Sequence, residues 1–211
     1  MDSRKIGYVL IGGAALGALG ALLFGRKKRS PLVAPGRRVV LIGDSLGVGL
    51  RKPLSLLAEA SRVELSPQVC GGTMILQWVK ERTAYPQHDT SLAKRCDFGL
   101  GYVRDARPDV VLISLGTNDA YAPLSTIEAE YADVHALVQA IREMGATPVW
   151  LDPPHLAKAP HEAEMRQLIA TADVAHFPSY ELGIEMSPDA IHPTGAGYAQ
   201  WADALWAWLT E

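Results

Sequence analysis

From residue 38 onward the chain alternates short β-branched runs with stretches of helical periodicity, and this alternation restricts the fold more than any other feature. Parallel strands need long crossovers, usually helices, so the pattern predicts a parallel sheet covered by helices on both faces. Strands are expected at residues 39–42, 63–65, 110–114, 148–151 and 174–177. Ser125 with Glu128 three residues on has the form of a capping box. The helix it predicts carries Ile127, Tyr131, Val134, Leu137, Ile141 and Met144 on one face, and Gly145 stops it. A last helix is expected after Thr194, where Tyr198, Trp201, Leu205 and Leu209 recur at core spacing and dock the C-terminus. Residues 81–108 show no clean period, and a loop of that length is usually functional.

Ahead of this body, residues 6–25 form an uncharged run of 20 residues. As a helix rising ~1.5 Å per residue it would span ~30 Å, the thickness of a bilayer's hydrocarbon core. It reads as an uncleaved membrane anchor rather than a signal peptide, because the run is long and no small-residue cleavage site precedes the basic block at 26–29. Gly13, Gly17, Ala21 and Gly25 fall four apart on one face, a spacing that permits close helix approach and a homo-oligomer; the competing reading is that such residues are simply common in membrane helices. Three regions follow: 1–29, the anchor with its basic flank; 30–37, a tether; and 38–211, one catalytic-sized domain. The basic flank favours a cytoplasmic body, or contact with anionic headgroups, whereas the chemistry below often suits the outside; the side stays open.

The net charge of −3 divides into +7 over residues 1–38 and −10 over the rest, which argues against a nucleic-acid-binding body. With 48% hydrophobic and 20% charged residues, the chain can bury a core and is not disordered. Two cysteines, Cys70 and Cys96, exclude a Cys-rich zinc module and permit one disulfide or two free thiols. His88, His135, His161 and His176 show no metal-ligand pairing, and His155 reads as a loop histidine on the rim of the sheet.

Four stretches sit where strands end, the edge at which ligand crevices form in open parallel sheets. VVLIGDSLGVG places Ser45 directly after the first strand, with the amides of the next turn free to hold an anion. QVCGGTMILQW offers Gly71 and Gly72, whose missing Cβ lets a backbone N–H approach a substrate oxygen. LISLGTNDAY puts Asn118 where its amide can donate to a developing oxyanion. SPDAIHPTGAGY brings Asp189 and His192 within one turn, so the carboxylate can orient the imidazole. Each has an ordinary alternative: a helix cap, a tight turn, an Asx-turn, a structural histidine. Asp44 and Asp119 read as residues that hold their loops by hydrogen bonds.

Together, GDSL at 43–46, Gly71 or Gly72, GTND at 116–119 and DAIH at 189–192 resemble the blocks of the SGNH, or GDSL-type, hydrolase superfamily over about residues 39–200. The resemblance implies an α/β, flavodoxin-like three-layer fold, with Ser45 as nucleophile, His192 as general base and Asp189 as its orienting acid. It also implies an oxyanion hole made of the Ser45 N–H, the Gly71 or Gly72 N–H and the Asn118 side chain, and no metal or organic cofactor. GDSLG fits the nucleophile elbow of the α/β-hydrolases as well, but there the acid and base lie on separate loops. The expected function is that of a membrane-anchored serine esterase acting on a small acyl ester of the O-acetyl carbohydrate type. A lysophospholipase or thioesterase of the same fold, and a non-catalytic binding or assembly protein, are the alternatives.

Overall fold

The computed structural model describes residues 30–80 and 98–211. The predicted anchor at 6–25, its glycine/alanine face, His88 and Cys96 all lie outside the described residues. Among the described residues no helix is long and apolar enough to cross a membrane.

Pro31–Glu211 forms one compact unit. Its five strands are β1 (Arg38–Gly43), β2 (Glu64–Val69), β3 (Val110–Ser114), β4 (Thr147–Leu151) and β5 (Ala175–Phe177). They pair in the order β2-β1-β3-β4-β5, and every pairing is parallel. This order reverses direction between β1 and β3, the switch point at which doubly wound sheets open a crevice. Side chains alternate between faces along the central strands. Val40, Ile42, Val111, Ile113 and Trp150 pack on one face against α2 (Ile75–Val79), α3 (Leu100–Asp105), α5 (Tyr131–Glu143) and α6 (Glu162–Ala170). Leu41, Leu112 and Val149 pack on the other, against α1 (Ser45–Ala60) and α7 (Gly195–Thr210). Leu50 and Leu54 of α1 are fully buried there, so truncating either to Ala is expected to cost about 2–5 kcal/mol.

The structure departs from the sequence-based expectations in four places. Strand β2 extends to Val69 through Pro67, which an edge strand tolerates because one side of its backbone is unpaired. The expected capping box does not form: α4 (Leu124–Ala129) starts after Pro123 with no side-chain cap. That helix is also not continuous with α5, since Glu130 interrupts the two and leaves Tyr131 54% exposed rather than on the core face. Finally, the stretch expected to be loop up to residue 108 ends in α3, whose Leu100 and Val103 are buried. Gly145 does stop α5, taking φ +79° as a helix-terminating glycine should. Thr194 caps α7 by accepting from the Gly197 amide. Leu32 and Val33, within the segment read as a tether, both donate to the Leu209 carbonyl, and Val33 is buried.

Candidate active site

The site is assembled at the carboxyl edge of the sheet. Ser45 is the first residue of α1, directly after β1, and the Asp44 side chain caps that helix by accepting from the Leu46 amide at 2.9 Å. The first amides of a helix lack intrahelical acceptors, so the Ser45 N–H is available to an oxygen placed above it. Ser45 Oγ lies 2.9 Å from His192 Nε2, and His192 Nδ1 lies 2.8 Å from Asp189 Oδ2. With Nδ1 donating to the carboxylate, Nε2 is the bare nitrogen that accepts the serine proton.

A dense local network sets the Asp189 carboxylate. Its Oδ1 accepts from the Ser187 hydroxyl at 2.7 Å and from the amides of Ile191 and His192 at 2.8 and 2.9 Å. The loop folds tightly enough for this because Ala190 takes φ +59°, a left-handed conformation that non-glycine residues rarely adopt. Hydrogen bonds from the backbone and ring of His192, then from the Ile191 amide and Ser187, hold the Asp189 carboxyl well below the usual carboxylate range. The Lys158 ammonium, from the loop after β4, donates to the Asp189 carbonyl at 3.3 Å.

On the other side of Ser45 the two candidate glycines separate. A Cβ on Gly71 would sit 3.8 Å from the Ser45 Cβ, so Gly71 faces the nucleophile. Gly72 takes φ +82° and makes the turn. Asn118 reaches across to this turn and donates from Nδ2 to the Thr73 carbonyl at 2.9 Å, leaving its second amide hydrogen for another acceptor. Asp119 Oδ1 accepts from the Ile75 amide at 3.1 Å, a second tie between the same two loops. Asp44 and Asp119 thus hold backbone, as their positions suggested. Gly116, which opens the GTND stretch, takes φ +113°, and a Cβ there would meet Ile169 Cδ1 at 2.9 Å.

The structure therefore brings Ser45, His192, Asp189, Gly71, Gly72, Asn118 and Thr73 into one cluster. Ser187 and Thr73 went unremarked in the sequence although both adjoin motif residues, and Ser187 lies two positions from Asp189, the spacing of a local hydroxyl–carboxylate contact. Lys158 has no sequence signal, because only the packing of its loop brings it to the site. His155 lies on the rim, exposed, with Nδ1 3.0 Å from Glu162 Oε2. His135 and His176 bond to Thr171 and to Asp152. Cys70, directly before Gly71, is buried and disulfide-bonded; the chain's one other cysteine is Cys96.

A serine–histidine–aspartate chain at the carboxyl edge of a parallel sheet, flanked by converging amide donors, defines the serine hydrolase class. The profile of the GDSL-like lipase/acylhydrolase family matches residues 41–200, and the chain belongs to that family of ester-bond hydrolases. No curated protein matches it. Among solved structures it is similar to a GDSL-like lipase from Bacteroides thetaiotaomicron, at 14% identity and TM-score 0.58, covering 82% of this chain and 85% of that one. An acetylxylan esterase from Geobacillus stearothermophilus, present as a catalytic variant, is similar at 14% identity and TM-score 0.60, with coverage of 84% and 95%. TesA is similar at 17% identity and TM-score 0.58, with coverage of 82% and 98%. At these identities the likeness is one of fold.

Proposed function

We propose that the chain is a membrane-anchored serine esterase that transfers a small acyl group, of the O-acetyl carbohydrate type, from an ester to water. The hydrogen-bonded chain from Ser45 through His192 to Asp189 carries this reading. Ser45 Oγ attacks the ester carbonyl as its proton passes to His192 Nε2, and Asp189 steadies the imidazolium. The oxyanion that forms is held by the Ser45 N–H, the Gly71 N–H and the remaining Asn118 amide hydrogen, with Gly72 shaping the turn. His192 then returns its proton to the leaving alkoxide. Water, activated by the same histidine, attacks the acyl-enzyme and releases the acid, restoring Ser45. Beyond the ester and one water, these steps draw on the chain's own groups.

The partly exposed His192 and Asp189 side chains, at 39% and 47%, suit a short acyl group on a bulky polar alcohol better than a buried long chain. The fold shared with an acetylxylan esterase agrees with that. The alternative substrate class, a lysophospholipid or thioester, is favoured by the proposed anchor at 6–25, which would hold the site near lipid. The Cys70 disulfide supports a body facing an oxidising compartment, against the pull of the basic flank.

The test is intact-mass labelling of the full chain in detergent with a fluorophosphonate, beside Ser45→Ala and His192→Ala. One adduct on the parent, none on Ser45→Ala and slow labelling of His192→Ala is the expected result. A folded parent without an adduct would overturn it and favour the non-catalytic reading. An acyl-length series of p-nitrophenyl esters separates the substrate classes: steep decline beyond acetyl supports the small-acyl reading, and a maximum at long chains supports the lipid one.

A further inference from the structure

Behind Asn118 lies a group of buried carboxyls that the reaction does not consume. Asp119 is fully buried and Glu130, at the break between α4 and α5, is 1% exposed. Their carboxyl groups face each other closely enough to interact directly. Yet Asp119 Oδ2 and both Glu130 carboxyl oxygens have no donor among the described groups. Two ionised carboxylates so placed would repel each other and leave three buried acceptors unsatisfied, whereas a single proton between them turns one acceptor into a donor.

The position of this pair is what gives it a role. Asp119 Oδ1 holds the Ile75 amide, and its neighbour Asn118 holds the Thr73 carbonyl, so the GTND loop is tied twice to the turn that carries Gly71. Resting on the acyl-transfer reading above, we propose that Glu130 is a positioning residue: kept as the neutral acid, it donates to the Asp119 carboxylate and so sets the spacing between the Asn118 amide and the glycine turn.

The surroundings agree. Burial, followed by the charge and hydrogen bond of Asp119 and the charge of Asp133, pushes Glu130 up to about 10. Asp133 is itself balanced by the Lys80 ammonium at 3.5 Å, and Asp44 faces Asp119 from the start of α1. The charges that bear on Glu130 among the described residues are those of Asp119 and Asp133, both negative.

Glu130→Gln keeps a donor toward Asp119 and Glu130→Leu removes it, so the two variants divide the proposal from mere packing. Turnover of p-nitrophenyl acetate by the full chain should show kcat within about threefold of wild type for Gln, because its amide still donates. For Leu, kcat should fall roughly 10- to 100-fold with KM nearly unchanged, the mark of a displaced oxyanion donor. The wild type should lose activity as pH rises through about 10, and Glu130→Gln should not.

Stability supplies a readout free of turnover, and one that remains if the Leu variant does not fold. The native state holds a proton that the unfolded chain has lost above about 4.5, so wild-type stability should decline from there toward pH 10, and Glu130→Gln should flatten that slope. Equal kcat for Leu and wild type, or a Gln variant with an unchanged pH slope, would overturn the proposal. If the wild type neither labels nor turns over, the acyl-transfer reading has failed and the positioning role falls with it; a flattened slope would then still identify the shared proton.

Discussion

The two sides of Ser45 use the same side-chain chemistry to opposite ends. On the histidine side, Asp189 is partly exposed, collects four hydrogen bonds and is held ionised. On the amide side, burial raises all three of Asp44, Asp119 and Glu130, and each has at least one oxygen without a donor among the described residues. What separates them is the balance of donors against desolvation, not the residue type. In the proposed acyl transfer the ionised carboxylate stabilises the imidazolium that forms. On the amide side Asp44 and Asp119 hold backbone amides, and burial works against negative charge there.

The contrast breaks most completely at Asp189. In Asp189→Asn, the amide oxygen can still hold the loop through Ser187, Ile191 and His192, but the amide nitrogen meets His192 Nδ1 and selects the wrong tautomer. A fall of about 10⁴-fold in kcat is expected with the fold retained, read by steady-state kinetics beside circular dichroism. Next comes Asn118→Ala, which removes one proposed oxyanion donor and the tie to Thr73. Its kcat should drop roughly 100- to 1000-fold, while cooperative unfolding persists.

Smaller effects sharpen the comparison through pH. A lowered Asp189 contributes stability that is present above the ordinary carboxylate value of 3.8 and is lost as pH falls below it. Asp44 runs the other way. Burial lifts it to about 7, so the native state retains a proton that the unfolded chain releases, and its contribution declines as pH rises from 3.8 to about 7. Asp44→Asn, which can still accept from Leu46, should therefore raise the denaturation midpoint more at pH 8 than at pH 4. The smallest change is expected at Ala190: Gly relieves the left-handed strain but loosens the unfolded chain, leaving stability within about 1 kcal/mol of the parent. A marked loss in chemical denaturation would show that the Ala190 methyl has a packing role.

Much of this site was legible before any coordinates, because its parts lie at strand ends and carry local motifs. Ser45 follows a run of buried β-branched residues, and Asp189 and His192 are close enough in sequence to meet within one turn. The choice between Gly71 and Gly72 was not legible, since it depends on which backbone turns toward Ser45. Nor was the break at Glu130. The apolar period runs through it as though one helix continued, and the carboxyl that Glu130 faces lies eleven residues earlier in the chain.

The sequence by itself determined the parallel α/β body and its central strands, since periodicity is a property of neighbouring residues, and its GDSL and DAIH blocks resembled a family whose serine, aspartate and histidine fall at Ser45, Asp189 and His192. Only the tertiary structure decided the extent of the edge strand β2, the reach of Lys158 to the Asp189 carbonyl, and the ties from Asn118 and Asp119 to the glycine turn. Those ties join positions 31 to 45 residues apart, and no local preference encodes which buried acceptor will find which donor once the helices have packed.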